Sequence, residues 1–247
     1  MNLCGIGINC HLIDDLLKER NSIIQVVTVN AEAVVRAQTD KKLCHIIAAS
    51  LTTIDGQIPL WLYKWLYPQI QIEKISGSDL IYIVAQWANR TRKKIYLLGG
   101  NSLSNFEAVE KLKKMNKGIE IEGFSPPFSP YPFSEQANEN IMIKIEQFGP
   151  DILFVGFGMG KQEYWAYDNI ERLARTGVKM IIGCGGTFEF VSGQIKRAPK
   201  LVQRIGMEGF WRLFQEFKWF RLKRLLLSFK IFHYYFKYHV LRRKREI

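Results

Sequence analysis

Apolar residues along this chain gather in short unbroken runs, separated by longer segments in which they recur every third or fourth position. The runs lie at 23–29, 95–98, 152–155 and 179–183, and a fifth, weaker one at 119–123. Apolar, β-branched runs of this length read as strands covered on both faces, the pattern of a parallel sheet between helices. The periodic segments at 31–39, 58–67, 80–90, 106–115 and 162–175 predict the helices. Asn30 and the Ser76-Gly77-Ser78-Asp79 stretch mark helix starts, so Asn30 has a structural task as an N-cap whatever else it does. Segment 46–54 leads into an Asp55-Gly56 turn. Residues 125–133 hold four prolines and predict a loop, a candidate lid. Strand and helix alternate, so the expected fold class is α/β with a parallel sheet and with ligands at the carboxyl ends of the strands.

Those ends carry the candidate chemistry. They read Thr28-Val29-Asn30, Asp55-Gly56, Gly99-Gly100, Gly156 through Gln162, and Gly183 through Thr187. Glycines at 156, 158 and 160 let backbone N–H groups approach an anion, and a following helix N-terminus favours negative charge there. A dinucleotide fingerprint would need glycine at 161, where Lys161 stands, and a Walker loop would need Ser or Thr at 162, where Gln162 stands. Glycine in a strand-to-helix turn also has the simpler reading of a turn residue, and Asp55-Gly56 has the same one. Both readings stand at this point.

Charge divides the chain. From Lys196 onward there are 15 Lys and Arg against 3 Glu, while the first 195 residues carry 20 of each sign. The excess of +12 therefore sits in one terminal stretch, interleaved with aromatics: Phe210-Trp211-Arg212-Leu213-Phe214, then 217–224, then 229–238. Trp211, Phe214, Lys218, Arg221 and Leu225 stand at helical spacing, which predicts amphipathic helices suited to a membrane interface. A charged hairpin on the core and a nucleic-acid patch are the competing readings of the same composition. Cys4, Cys10, Cys44 and Cys184 have neither disulfide nor metal-ligand spacing and predict thiols in a reducing compartment. There is no secretory signal at the N-terminus, and Lys230 and Lys237 interrupt the most apolar terminal segment, so no spanning helix is expected. A cytoplasmic location follows.

Taken together the motifs resemble one family over nearly the whole chain. Thr28-Val29-Asn30, Asp55-Gly56, Ser76 through Leu80, Leu97 through Gly100, Pro150 through Glu163, Gly185-Gly186-Thr187-Phe188 and Gly193 through Pro199 appear in the order found in the TagA/WecG/CpsF glycosyltransferases. The resemblance implies a Rossmann-like catalytic domain at 1–195 and a basic, membrane-targeting helical appendage at 196–247. It implies inverting transfer of a hexose or N-acetylhexosamine(uronate), such as N-acetylmannosamine, from a UDP-sugar to a polyprenyl-diphosphate-linked sugar, in bacterial surface polysaccharide synthesis. No cofactor and no metal ion are implied, and the chain has no Asp-x-Asp triplet.

By the same resemblance Asp55 matches the base that takes the acceptor hydroxyl's proton. Thr28, Asn30 and Gln162 match residues that orient the donor sugar. Gly99, Gly100, Gly156 and Gly185 lie in the loops that would line the substrate. Arg212 matches a cation that reaches the UDP diphosphate, with Arg221 and Arg224 as further candidates. The sequence departs from the pattern at five positions: Lys74 stands for an Arg, Ile54 for a Pro, Glu189 for an Asp, and Phe217 and Trp219 for a Pro and a basic residue. Lysine keeps the charge at 74 but lacks the planar fork that grips paired oxygens. The implied partners are the UDP-sugar, the lipid-linked acceptor and an anionic membrane on the inner face of which the protein is peripheral; no nucleic acid is implied, and oligomers are compatible with the sequence. The rival classes are a Rossmann-type oxidoreductase, against which the failed fingerprint spacing counts, and a nucleic-acid-binding protein using the basic stretch.

Overall fold

The computed structural model describes residues 1–215 and 217–241. Glu216 and residues 242–247 of the expected appendage lie outside the described residues. In chain order the elements are β1 (Asn2–Leu3), β2 (Ile6–Gly7), α1 (Ile13–Leu16), β3 (Ile24–Val29), α2 (Ala31–Arg36), α3 (Lys41–Ala49), β4 (Leu51–Ile54), α4 (Gln57–Leu66), α5 (Gly77–Thr91), β5 (Ile95–Gly99), α6 (Ser102–Met115), β6 (Ile121–Phe124), α7 (Glu135–Phe148), β7 (Ile152–Gly156), α8 (Lys161–Asp168), α9 (Ile170–Arg175), β8 (Met180–Gly183), α10 (Thr187–Ser192), α11 (Lys200–Arg204), α12 (Glu208–Gln215) and α13 (Trp219–Tyr235). A π-helical turn, Phe236–Leu241, continues α13.

Among the described residues, six strands form one parallel sheet in the order β4-β3-β8-β7-β5-β6. The α/β class read from the apolar runs is the fold observed. Two compact units divide the chain. The first comprises Met1–Leu16, Thr28–Ser76 and the described residues from Lys196 onward, and the second comprises Leu17–Val27 and Gly77–Ile195.

In the second unit β5 and β7 run in register from Ile95 beside Ile152 to Gly99 beside Gly156, and β7 and β8 from Ile152 beside Met180 to Val155 beside Gly183. Their apolar runs are buried on both faces, with Leu98, Leu153, Val155 and Ile181 packed against Ile141, Met142 and Ile145 of α7 and Trp165 of α8. Asn105 of α6 lies buried beneath the sheet end, where its amide donates to the carbonyls of Leu97 (2.9 Å) and Gly99 (2.8 Å). That satisfies a polar group which would otherwise be costly to bury. The expected helix at 162–175 is two helices, because Asn169 interrupts it with φ −110° and ψ 8° and its amide turns back to the Trp165 carbonyl at 2.8 Å.

In the first unit the β1–β2 hairpin, α3 and α4 enclose Leu3, Ile6, Leu43, Ile46, Leu60 and Tyr63, all buried. The helix α13 packs along α2 and buries Ile231. The helical spacing predicted across 211–225 does not make one helix: α12 ends at Gln215 and Lys218, extended at φ −131°, opens α13. Among the described residues no helix is long and apolar enough to cross a membrane. Cys4, Cys10 and Cys184 are buried and Cys44 half-buried, none in a disulfide.

Candidate active site

Four of the expected site residues come together in the first unit through strand register alone. β3 ends at Val29, between Thr28 and Asn30, and the Asp55 N–H donates to the Val29 carbonyl at 2.9 Å. Beyond β4, Ile54 forms a parallel bridge with Lys74, and the Ile75 N–H donates to the Ile54 carbonyl at 2.8 Å. Thr28, Asn30, Asp55 and Lys74, dispersed over nearly fifty residues, thus emerge side by side from adjacent chain segments. Gly56, at φ 88°, turns the chain directly from Asp55 into α4, a conformation that an L-residue with a Cβ rarely adopts.

Side-chain partners refine the roles. Asn30 caps α2, its Oδ1 accepting from the Ala33 N–H at 2.9 Å, which leaves its Nδ2 donors and the second Oδ1 lone pair for a substrate. Ser76, two residues beyond Lys74, lies 3.4 Å from Nη2 of Arg197, whose Nε is 3.7 Å from Glu208 Oε1. A guanidinium therefore stands close to the position where the sequence has lysine in place of the family's arginine. Arg224 directs both Nε and Nη2 to Glu32 Oε2, each at 2.6 Å, and Arg36 Nη2 reaches Glu32 Oε1 at 2.8 Å. Glu32 is only 4% exposed. Nothing in the sequence marked it as buried, although its i,i+4 spacing to Arg36 was visible. Arg212 lies on α12, and Arg221 on α13 sits 5.3 Å from the Phe220 ring centroid.

The second unit holds the glycine loops. Gln162, 3% exposed at the start of α8, accepts at Oε1 from the N–H groups of Gly158 (3.2 Å) and Gly185 (2.9 Å). Its Nε2 donates to Glu163 Oε1 at 2.8 Å, and Glu163 Oε2 accepts from the Gly160 N–H at 2.6 Å, which is half of a capping box. One amide thus joins the loop after β7 to the loop after β8. Glu163 was quoted in the sequence only as part of a motif; its N3 position behind Gly160 was the signal for this role.

The glycines differ in what they face. A Cβ at 156 would fall 2.8 Å from the Phe188 ring, one at 99 would fall 2.8 Å from the Phe157 ring, and one at 100 would fall 3.0 Å from Phe188. At these three positions the missing side chain makes room for a ring, buried in the case of Phe188 and half-buried in that of Phe157. At 158 and 185, with φ of 90° and 54°, a Cβ would meet nothing within 4 Å, so these are the glycines whose backbone lies open to a ligand. Burial raises the Cys184 thiol well above the usual range, which leaves it inert in this loop.

Lys161 is engaged by the proline-rich stretch and by Phe157 of the loop after β7. It donates to the Ser129 carbonyl and lies 4.7, 5.1 and 5.6 Å from the ring centroids of Phe133, Phe128 and Phe157. Burial lowers its pKa. Tyr131 donates to Asp168 and the Ser125 hydroxyl donates to the Gly100 carbonyl, so the proline-rich stretch 125–133 is tied near both of its ends as well as by Lys161. Among the described residues no three His, Cys, Asp or Glu side chains gather as they would around a metal ion.

The model of the WecG/TagA/CpsF glycosyl transferase family matches residues 3–246. The chain belongs to this family. A match over essentially the whole chain makes it a glycosyltransferase of the WecG/TagA/CpsF type, acting on a sugar donor and an acceptor in surface polysaccharide synthesis.

Proposed function

We propose that the protein is an inverting, UDP-sugar-dependent transferase that moves a hexose or N-acetylhexosamine(uronate), such as N-acetylmannosamine, to a polyprenyl-diphosphate-linked sugar. In this reading the acceptor hydroxyl attacks the anomeric carbon of the donor as its proton passes to the Asp55 carboxylate. The bond from that carbon to the diphosphate oxygen breaks, and UDP departs with the electron pair. General-base catalysis by one positioned carboxylate supplies about 10²- to 10⁴-fold. The observation that carries the reading is the 2.9 Å hydrogen bond from the Asp55 N–H to the Val29 carbonyl, which sets the Asp55 backbone beside the strand end that bears Thr28 and Asn30.

Departing UDP needs neutralising charge and N–H donors, here without a metal ion. The cations proposed for this are Lys74, Arg212 and Arg221; Arg224 joins them only if it leaves Glu32. In the second unit, taken by itself, the N–H groups of Gly158 and Gly185 would be offered to an anion if the Gln162 side chain yielded them. The protein would work at the inner face of the membrane, where its acceptor resides, with residues 196–247 as the targeting appendage.

The test is UDP release from a panel of UDP-sugars, with a polyprenyl-diphosphate-sugar analogue as acceptor. Release that needs both substrates and is lost in Asp55→Asn supports the reading. Turnover with no UDP-sugar in the panel, or acceptor-independent turnover alone, overturns it.

A further inference from the structure

The helix that follows the candidate base presents an unusual outer face. α4 reads Gln-Ile-Pro-Leu-Trp-Leu-Tyr-Lys-Trp-Leu, and its inner side is ordinary: Pro59, Leu60, Leu62 and Tyr63 are buried. Its outer side carries Trp61 and Trp65 one turn apart, 48% and 79% exposed, with exposed Lys64 between them. Two large indoles in water at i,i+4 are not needed by the fold, since the helix already has its buried face.

The exposed indoles adjoin a second apolar and cationic segment of the same unit. A Cβ at Gly206 would lie 3.7 Å from Cζ3 of Trp61 and 3.4 Å from Ile58, so the turn after α11 rests on the first turns of α4. Ile205 and Met207, which flank that glycine, are exposed, as are Leu201, Lys200 and Arg204. Across residues 57–66 and 196–207 there are five cations (Lys64, Lys196, Arg197, Lys200, Arg204) and no acidic residue. Of these, Arg197 is turned toward Glu208 and Ser76.

We infer that the outer face of α4, with Trp61 and Trp65, is a bilayer-contact surface that seats the Asp55 turn at the headgroup level of an anionic membrane. The chemistry of the face selects this occupant. Indoles prefer the boundary between headgroups and acyl chains, with the ring in the apolar layer and the N–H in the wet one. Cations beside them are drawn to an anionic leaflet. A second copy of this chain would instead bring the like charges of Lys64, Lys196, Lys200 and Arg204 against the same four. The surface rests on the transferase reading for its purpose: α4 starts two residues after Asp55, so the depth of Trp61 and Trp65 sets the height of the carboxylate above the lipid from which the acceptor sugar projects. Its two indoles lie outside residues 196–247, which the sequence marked as the targeting segment, while four of the five cations counted above lie inside them.

The full chain, its W61S/W65S variant and its W61F/W65F variant are to be compared for binding to vesicles of phosphatidylglycerol and of phosphatidylcholine. Thermal melting confirms that the variants fold, as both side chains are exposed. The expected result is binding of the wild type to anionic vesicles, a loss of about tenfold in W61S/W65S, and substantial recovery in W61F/W65F, as fits partition of an apolar face. In turnover, W61S/W65S should raise the KM for a long-chain acceptor in vesicles and leave that for a short-chain soluble acceptor unchanged. Equal vesicle binding by wild type and W61S/W65S overturns the inference and leaves the transferase reading intact. A dimer of the wild type in lipid-free solution that W61S/W65S abolishes, with vesicle binding unchanged, assigns the face to a second copy and overturns it too. If the wild type binds neither vesicle, the membrane surface is refuted, and turnover of the soluble acceptor still decides the transferase reading separately.

Discussion

The edge around Asp55 in the first unit and the glycine loops of the second both come from short polar motifs at strand ends, yet the folded chain uses them in opposite ways. Around Asp55 the motif residues are aligned by backbone register: Asp55 bonds to Val29 through its N–H and Lys74 reaches its place through the bridge to Ile54. In the glycine loops the motif side chains are themselves the fastening. Gln162 holds Gly158 and Gly185, Glu163 holds Gly160, and three glycines yield their Cβ positions to Phe157 and Phe188. A residue positioned by backbone can be exchanged with little harm to the fold, whereas a residue that does the positioning cannot. That difference is measurable, because the first kind should change rate without stability and the second should change both.

The largest effect should come from Asp55→Asn. Turnover is expected to fall by roughly 10²- to 10⁴-fold, the range for losing a general base, with a melting temperature close to that of the wild type. UDP release and a melt on the same preparation check it. Retained turnover within tenfold would remove the distinction drawn for the first unit. Next in size is Gly183→Ala. Its Cβ would lie 2.7 Å from Nε2 of Gln162 and 3.0 Å from Oε1 of Glu163, contacts too short to keep without displacing that network. Overpacking of this kind costs about 1–3 kcal/mol, and UDP affinity should fall along with stability. Gly185→Ala meets no such neighbour and should cost less than Gly183→Ala in a melt.

How far the sequence foretold this follows from what each feature depends on. Strands β3, β5, β7 and β8 were legible because a strand buried on both faces has to be apolar throughout. The helix α7 was not foreseen: only Ile141, Met142 and Ile145 of its fourteen residues are buried, and it follows directly on the proline-rich loop. The β1–β2 hairpin has two residues per strand, too few for any period to show. At the site, the individual motifs were visible, but that Thr28–Asn30 and Asp55 are neighbours depends on β3 lying beside β4, which no local pattern contains. Gly99, Gly100 and Gly156 looked like Gly158 and Gly185, because a sequence does not show whether a missing Cβ faces a ring or open space. Arg224 was visible as a cation, and its partner Glu32 was not visible as buried.

That pair supplies a smaller effect. Removing one partner of a buried ion pair costs about 3–5 kcal/mol, but Arg224 is 42% exposed and solvent screens part of its interaction, so Glu32→Gln is expected to cost about 1–2 kcal/mol. Arg36 holds the other carboxylate oxygen and limits the loss further. A double-mutant cycle of Glu32→Gln with Arg224→Gln, read by denaturant unfolding, should give a coupling of the same sign. Zero coupling would mean that α13 is held on α2 by its apolar face alone. The variant also bears on the cations: freeing Arg224 should leave turnover at saturating substrate unchanged if this arginine serves docking only, and should alter it if the same guanidinium also serves the diphosphate.

The smallest effect is expected at Lys161, and two opposing terms explain why. Three phenylalanine rings and the Ser129 carbonyl surround its ammonium group, and cation–π contacts contribute about 0.5–2 kcal/mol where the cation is desolvated. Burial, however, lowers its pKa, which means that bringing the charge into this place is itself unfavourable. Lys161→Met removes the attraction and the desolvation cost together and keeps a flexible apolar chain among the rings, so global stability should change by less than about 1 kcal/mol. Local order should respond more than the global melt. Residues 125–133 would lose the Lys161 tie and keep the Tyr131–Asp168 bond, the Ser125 hydroxyl's bond to the Gly100 carbonyl and the Phe133–Phe157 ring contact, and their amide hydrogen exchange should quicken while that of β7 stays as it was. Tyr131→Phe in the same background should quicken it further. Unchanged exchange in the double variant would show that neither of these two ties orders the loop, and Lys161 would then join Asp55 among the residues that are positioned, rather than Gln162 among those that position.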